Sequence, residues 1–232
     1  MIFLLPVYEP SHGLVTTVTA LRDAAPGVHR VVVDDGSGPA SARMLRDAED
    51  LGCTVLRHDT NRGKGAALKT GFRHIAEAHP GHAVVCADPD GQHHVADILR
   101  VAEHVDVSGR MVLGVRRFEG RVPLRSRFGN TVTRLLFRAA TGCAVQDTQT
   151  GLRGYPADLL GWLCEVPGER FEYEMNVLLH AARADRPIAE TVITTTYIGD
   201  NGASHFGSIA DSARVYRPLL RYALSPSTRS SR

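Results

Sequence analysis

Residues 82–94 read HAVVCADPDGQHH. Within them, residues 83–87 form a short apolar run suited to a strand buried on both faces. The run ends in Asp88 and Asp90, one residue apart, followed by Gly91 and a polar cluster. Side chains at i and i+2 of an extended chain point the same way, so both carboxylates can face one site. Pro89 between them removes a backbone donor and stiffens the bend. Two hard, anionic oxygen donors at the mouth of a parallel sheet suit Mg²⁺ or Mn²⁺ bound to phosphates. Asp-Pro-Asp-Gly is also good turn chemistry, so the segments around it decide between the readings.

Upstream, residues 2–5 read as a strand stopped by Pro6, and Leu14, Val18 and Leu21 as a helical stripe. Residues 29–33 form a second apolar strand ending in Asp34-Asp35-Gly36-Ser37-Gly38. A charged helix over 39–51 and a third strand over 53–56 follow. Asn61-Arg62-Gly63-Lys64-Gly65 then opens a helix with Leu68, Phe72 and Ile75 on one face. Beyond the aspartate pair, Val95, Ile98, Leu99 and Ala102 mark another helix. Strand and helix alternate four times, which argues a parallel, doubly wound sheet. In such sheets ligands bind beyond the carboxyl ends of the strands. Tyr8-Glu9, Asp34-Asp35 and Asp88 with Asp90 all fall at those ends.

The second half is less regular. Residues 111–114 read as a strand, and Phe128, Val132, Leu135, Leu136 and Ala139 as the apolar stripe of a helix. A loop over 146–155, a helix carrying Met175, Leu178, Leu179 and Ala182, and a β-rich stretch over 188–196 follow. A last helix is expected from Ser208, with Ile209, Ala213, Tyr216, Leu220 and Ala223 on one face and Arg214, Arg217 and Arg221 on another. Such a basic amphipathic helix suits an anionic membrane surface or the flank of the domain. The expected organisation is one domain over 1–224 and a disordered Ser/Arg tail over 225–232.

Composition sets broad limits. The 232 residues suffice for a sizeable core, with 43% hydrophobic and 22% charged residues and a net charge of +2. Cys53, Cys86, Cys143 and Cys164 are widely spaced with no C-x-x-C, so neither a zinc site nor a disulfide framework is indicated. Buried thiols in a reducing cytosol are the expectation. No apolar run approaches transmembrane length, and MIFLLP lacks the flank of a signal peptide. The expected location is cytoplasmic or peripheral.

Several clusters invite a functional reading beside a structural one. Asp34 and Asp35 can accept hydrogen bonds from a nucleobase or ribose, or close a turn. The 61–65 segment can set backbone N–H groups and Lys64 near a diphosphate, or simply start a helix flexibly. It lacks the Walker spacing. Arginines 110, 116, 117, 121, 125, 127, 134 and 138 face a single acid, Glu119, in that stretch. Guanidinium forks bind phosphate bidentately. Stacking aromatics are sparse there, so a phosphate-bearing acceptor or anionic membrane is preferred over nucleic acid. Residues 146–151, QDTQTG, suit a sugar-binding loop or a polar turn. Glu172 and Glu174 read first as helix caps. His93, His94 and His205 are possible ligands, though such histidines are more often structural.

With those pieces in place the chain resembles family 2 glycosyltransferases of the GT-A fold, in particular the polyprenyl-phosphate hexosyltransferase branch related to dolichol-phosphate mannose synthase. The resemblance spans about residues 5–220. It rests on PVYEP at 6–10, VVVDDGSG at 31–38, NRGKGAALKTGF at 61–72 and DPDGQHH at 88–94. It continues with VLGVRR at 112–117, DTQTGLRGY at 147–155, RFEYE at 170–174 and SHF at 204–206. The resemblance implies a single Rossmann-like α/β domain with a mostly parallel sheet flanked by helices. It implies that Asp88, Asp90 and Gln92 hold Mg²⁺ or Mn²⁺ against the donor diphosphate in a D-x-D arrangement. Pro6, Tyr8, Glu9 and Asp35 would line the nucleotide pocket, with Asp34 and Lys64 nearby. Arg116 matches an arginine at the end of the family's G-S-R strand, and Arg127 one facing the acceptor phosphate. Two departures stand out: Tyr8-Glu9-Pro10 replaces the usual Tyr-Asn-Glu, and Gly202-Ala203-Ser204-His205 stands where a basic residue is expected.

The activity expected is inverting transfer of a hexose from a nucleotide diphosphate sugar, of GDP-mannose or UDP-glucose type, to a polyprenyl phosphate. A hydroxyl acceptor with Asp147 as base, or a non-catalytic nucleotide-sugar-binding module, is the alternative. The sequence leaves the oligomeric state open.

Overall fold

The structure is a computed structural model that describes residues 1–91, 93–116, 124–194, 219 and 222, with the backbone alone for 124–129. The expected last helix and tail, Gln92 and His205 therefore lie outside the described residues, apart from Leu219 and Tyr222.

Seven strands form one sheet in the order β3-β2-β1-β4-β6-β5-β7. β1 (Ile2–Val7), β2 (His29–Asp34), β3 (Thr54–Arg57) and β4 (Val84–Cys86) run parallel to one another. They are joined by α1 (His12–Ala24), α2 (Ala42–Asp50, after a 3₁₀ turn) and α3 (Lys64–Ala78). α4 (Val95–Ser108) then leads to β5 (Met111–Arg116), and α5 (Leu124–Thr141) to β6 (Arg153–Tyr155). A 3₁₀ turn, α6 (Leu160–Glu165), α7 (Glu172–Arg183) and β7 (Ile188–Ile193) complete the described chain.

The first half follows from its periodicities. Alternate residues of β1 serve opposite faces: Ile2 and Leu4 join a core with Phe72, Ile75 and Tyr173, whereas Phe3 and Leu5 join Leu14, Val18 and Ile98. A strand covered on both sides must be apolar throughout, hence its uninterrupted run.

Several features depart from the sequence reading or go beyond it. Pro6 does not stop β1. It lies inside the strand opposite Val33 and beyond Cys86, where pairing with β4 has already ended, so its missing N–H breaks no ladder on that side. The 146–155 loop ends as β6, antiparallel to both β4 and β5. Three residues are too short for a periodic signal. The turn and helix over 157–165 were not anticipated. Finally, the apolar residues that mark α5 are not the ones it buries. Asn130, Thr133 and Phe137 are buried, whereas Leu135 and Leu136 are 57% and 40% exposed.

All four cysteines are free thiols; Cys53 and Cys86 are buried, Cys143 and Cys164 half-buried. Leu219 is buried in the core beside α7, and Tyr222 stacks under the Arg183 guanidinium at 4.8 Å. No described helix is long and apolar enough to cross a membrane.

Candidate active site

The strand ends of the first half are bound together before any ligand is considered. Asp34 Oδ1 accepts the Ser37 amide at 3.0 Å, closing the turn after β2. Ser37 Oγ accepts the Glu9 amide at 2.7 Å. Glu9 sits in the left-handed region at φ 47°, a costly position for a non-glycine residue that this tie helps to hold. Tyr8 beside it is 38% exposed, while Pro6 is buried within β1.

Asp35 is buried and folds the 58–63 segment. Its Oδ1 accepts the Arg62 amide at 2.9 Å and its Oδ2 the Gly63 amide at 2.7 Å. The ring of His58 completes the arrangement, with Nδ1 2.8 Å from Asp35 Oδ1 and Nε2 2.9 Å from Thr70 Oγ1 on α3. Sequence reasoning missed His58; its signal was a histidine directly after a strand, three residues before the glycine-rich helix start. That start is not flexible. Gly63 adopts φ 109°, and a Cβ there would strike Glu169 O and Arg170 Cγ at 2.5 Å. The Ala66 amide donates to Glu169 O at 2.8 Å. Three backbone N–H groups that could have faced a diphosphate are thus engaged within the protein.

Lys64 turns toward the aspartate motif. Its Nζ is 2.8 Å from Asp88 Oδ1 and 3.0 Å from Glu174 Oε2. Burial alone would lower the lysine pKa, but Asp88 and Glu174 together raise it above the ordinary value. Burial pushes the Asp88 carboxyl up, and Lys64 foremost, then His93 and Arg153, hold it below the usual range. Glu174 Oε1 also faces Arg153 Nε at 3.7 Å. Glu174 is therefore a bridge rather than the cap it resembled. Glu172 is the cap, its Oε1 accepting the Glu169 and Arg170 amides at 3.1 and 3.2 Å.

The 147–151 loop closes the site from the other side. Asp147 is completely buried, with Oδ2 2.6 Å from Arg116 Nε and Oδ1 3.0 Å from an Arg116 terminal nitrogen. Arg116 ends β5, so the strand delivers the guanidinium to this carboxylate. The loop's shape depends on Arg153, buried at the start of β6. It donates to Thr150 O at 2.8 Å, Glu174 O at 2.8 Å and Thr148 O at 3.2 Å. Gly151 lets the loop pass close to Asp88, because a Cβ there would displace the Asp88 carboxylate. Arg153 was also missed, since the stretch over 146–155 reads as a loop and nothing local marks an arginine there as buried.

His93 shows that these groups share one environment. Desolvation lowers its pKa, Asp88 and Asp90 raise it, and Arg116 and Lys64 lower it. The net shift is downward, which keeps the ring neutral at neutral pH. The structure thus gathers Lys64, Asp88, Asp90, His93, Arg116, Asp147, Arg153 and Glu174 around the ends of β4 and β5. The carboxylate of Asp34 is instead engaged in its own turn and that of Asp35 by the 58–63 segment. His94 is exposed at the N-terminus of α4. Gln92 and the Arg127 side chain lie outside the described residues.

The donor set fits a divalent cation shared with a ligand rather than one caged by protein. Among the described residues no three His, Cys, Asp or Glu side chains form a complete metal site. Asp88 and Asp90 are hard oxygen donors beside a mouth lined with cations, and the Gly151 backbone leaves room for the Asp88 carboxylate. Cations that keep water and phosphate oxygens as ligands need only one or two protein carboxylates.

The family model described as "Glycosyl transferase family 2" matches residues 3–158. Undecaprenyl-phosphate mannosyltransferase of Micrococcus luteus is 30% identical over 200 residues, covering 82% of this chain and 81% of that one. Polyprenol monophosphomannose synthase of Mycolicibacterium smegmatis is 26% identical over 207 residues, covering 83% and 76%. Among solved structures, glucosyl-3-phosphoglycerate synthase from Mycobacterium tuberculosis, in complex with Mn²⁺, UDP and phosphoglyceric acid, superposes with a TM-score of 0.72. It is 19% identical, with 97% of this chain and 79% of that chain covered.

Proposed function

The chain belongs to glycosyl transferase family 2 and is a glycosyltransferase, and from that premise we propose that it moves a hexose from a nucleotide diphosphate sugar to a polyprenyl phosphate, inverting the anomeric centre. Relatives matched over four-fifths of the chain carry polyprenyl-phosphate sugar-transferase names, which supports the acceptor class.

The observation that carries the reading is the state of the acids. A sugar hydroxyl needs a general base within hydrogen-bond reach, whereas a phosphate monoester is already anionic. Asp147 is paired through both oxygens with Arg116, Glu174 bridges Lys64 and Arg153, and Glu172 caps a turn. Each carboxylate is engaged by a cation or an amide, which suits an acceptor that brings its own charge. In this reading Tyr8, Glu9 and the turn after β2 border the nucleotide. Lys64 and Arg116 offset phosphate charge, and the 147–151 loop orients the acceptor oxygen behind the anomeric carbon. Asp88 and Asp90 would hold Mg²⁺ or Mn²⁺, which supplies Lewis-acid neutralisation of the departing diphosphate.

The test is transfer from radiolabelled UDP-glucose and GDP-mannose to farnesyl phosphate or farnesol, with Mn²⁺ or EDTA. Expected are product with farnesyl phosphate only, loss of turnover in EDTA, and loss of most activity in Asp90→Asn with the fold intact. Transfer to farnesol or a free sugar, with none to farnesyl phosphate, overturns the acceptor reading. Equal turnover in EDTA overturns the metal reading.

A further inference from the structure

Residues 58–63 lie between β3 and α3 in neither helix nor strand, yet they are fixed from two sides. On one side the turn after β2 presses on them, since a Cβ on Gly36 would strike the Thr60 and Asn61 backbone. On the other, the Ala66 amide donates to Glu169 O at 2.8 Å. His58 is the fastening between. Its amide donates to Asp34 O at 2.9 Å, directly beyond the paired residues of β2 and β3. Its side chain is 6% exposed, with Nδ1 2.8 Å from Asp35 Oδ1 and Nε2 2.9 Å from Thr70 Oγ1. A carboxylate only accepts, so Nδ1 carries the proton toward Asp35 and Nε2 accepts from the Thr70 hydroxyl. The same carboxylate takes the Arg62 and Gly63 amides. The next residue is Lys64, whose Nζ stands 2.8 Å from Asp88 Oδ1.

We propose that His58 is a positioning residue for the donor: it locks Asp35 onto the Arg62 and Gly63 amides and so sets the start of α3 from which Lys64 meets the donor diphosphate. The two amides alone are a soft hold, because the loop that bears them moves with them. The ring is tied to α3 through Thr70 and to β2 through its own backbone, so it anchors the carboxylate to rigid elements. A buried ring acts only through what it holds. The inference rests on the reading above in which Lys64 offsets donor phosphate charge.

Calorimetric titration of UDP, GDP, dTDP, CDP and ADP with Mn²⁺ identifies the nucleotide that the wild-type chain binds, and variants are compared on it, with melting curves to confirm folding. His58→Phe keeps the bulk and removes both ring bonds. It should weaken binding about ten- to a hundredfold, the scale expected when a binding group is misplaced by about an ångström. Asparagine sets its amide nitrogen where Nδ1 stands, and glutamine where Nε2 stands. His58→Asn should therefore keep most of the affinity, and His58→Gln should lose it as the Phe variant does. On a Lys64→Met background His58→Phe should add little, because Lys64 is the path by which the ring acts. Wild-type affinity in His58→Phe, equal affinities in the Asn and Gln variants, or full additivity with Lys64→Met overturns the proposal and leaves the ring a fold-stabilising contact only. Should His58→Phe melt below the assay temperature, the Asn and Gln pair decides. If no nucleoside diphosphate binds the wild type, the donor reading fails and this proposal falls with it. If one binds and the variants match wild type, only the proposal falls.

Discussion

Helices α3 and α5 lie in the two halves of one domain and are built on opposite rules. α3 buries Ala67, Leu68, Phe72 and Ile75 against β1 and its neighbours, and its outer face is polar. α5 buries Asn130 and Thr133 with Phe137 and leaves two leucines outside. The difference follows from what each helix covers. α3 covers strands whose hydrogen bonds are satisfied within the sheet, so its inner face needs only apolar bulk. α5 covers the 146–148 loop, whose carbonyls and hydroxyls have no ladder to join. Buried polar groups cost free energy unless bonded, and Asn130 and Thr133 supply those bonds.

The comparison is broken most severely in the α3 half. Phe72→Ala empties a fully buried aromatic site and should cost about 3–5 kcal/mol by urea denaturation. Next comes Arg153→Met, which removes a buried cation from three carbonyls and from Glu174. A loss of about 3 kcal/mol or more is expected, with sugar transfer lost beyond the loss of folded protein because the 147–151 loop relaxes. A stability change below 1 kcal/mol would show that the loop does not depend on it. Thr133→Val keeps the shape but takes the acceptor from Thr148 Oγ1. About 1 kcal/mol should be lost by the same measurement, whereas an apolar residue at an α3 core position would be welcome.

A smaller effect concerns the end of α3. His79, directly after the helix, is ringed by His29, His74 and His82, with ring centroids 4.6, 6.3 and 6.1 Å away. Desolvation first, then these neighbours, lowers its pKa below 6.5. Between the folded value and 6.5 the unfolded chain binds more protons, so this contribution is present above 6.5 and lost as pH falls through the folded value. The urea midpoint of wild type should drop between pH 7.5 and 5.5 slightly more than that of His79→Gln. Equal drops would remove the cluster from the account. The smallest effect is expected outside α5: Leu135→Ala should change stability by less than about 0.5 kcal/mol in solution. A larger loss would mean that the stripe is covered within the folded chain.

Legibility from sequence divides along the same line. Strand and helix alternation through α4 could be read because periodicity reports the side of an element that meets apolar neighbours. The cluster at Asp88 and Asp90 was visible as charge arriving at the end of an apolar run. The partners of those charges were not. Glu174 looked like a cap and Asp147 like a candidate base, and Arg153 drew no reading at all, since each is defined by a segment distant in sequence. α5 shows this most clearly: its apolar residues mark the helix, but the face it buries is set by the 146–148 loop it covers.

What the amino-acid sequence determined by itself is the doubly wound half of the sheet and the placing of Asp34, Asp35 and Asp88 at strand ends. Those features come from local rules of period, strand length and turn chemistry, which act within a few residues. Tertiary structure alone decided which carboxylate each cation holds, that Asp35 serves the 58–63 segment, that β6 runs antiparallel and which face of α5 is buried. These outcomes depend on satisfying buried donors and acceptors across the whole fold. Hydrogen bonding of that kind is collective: a side chain's partner is set by every other group that must also be paired.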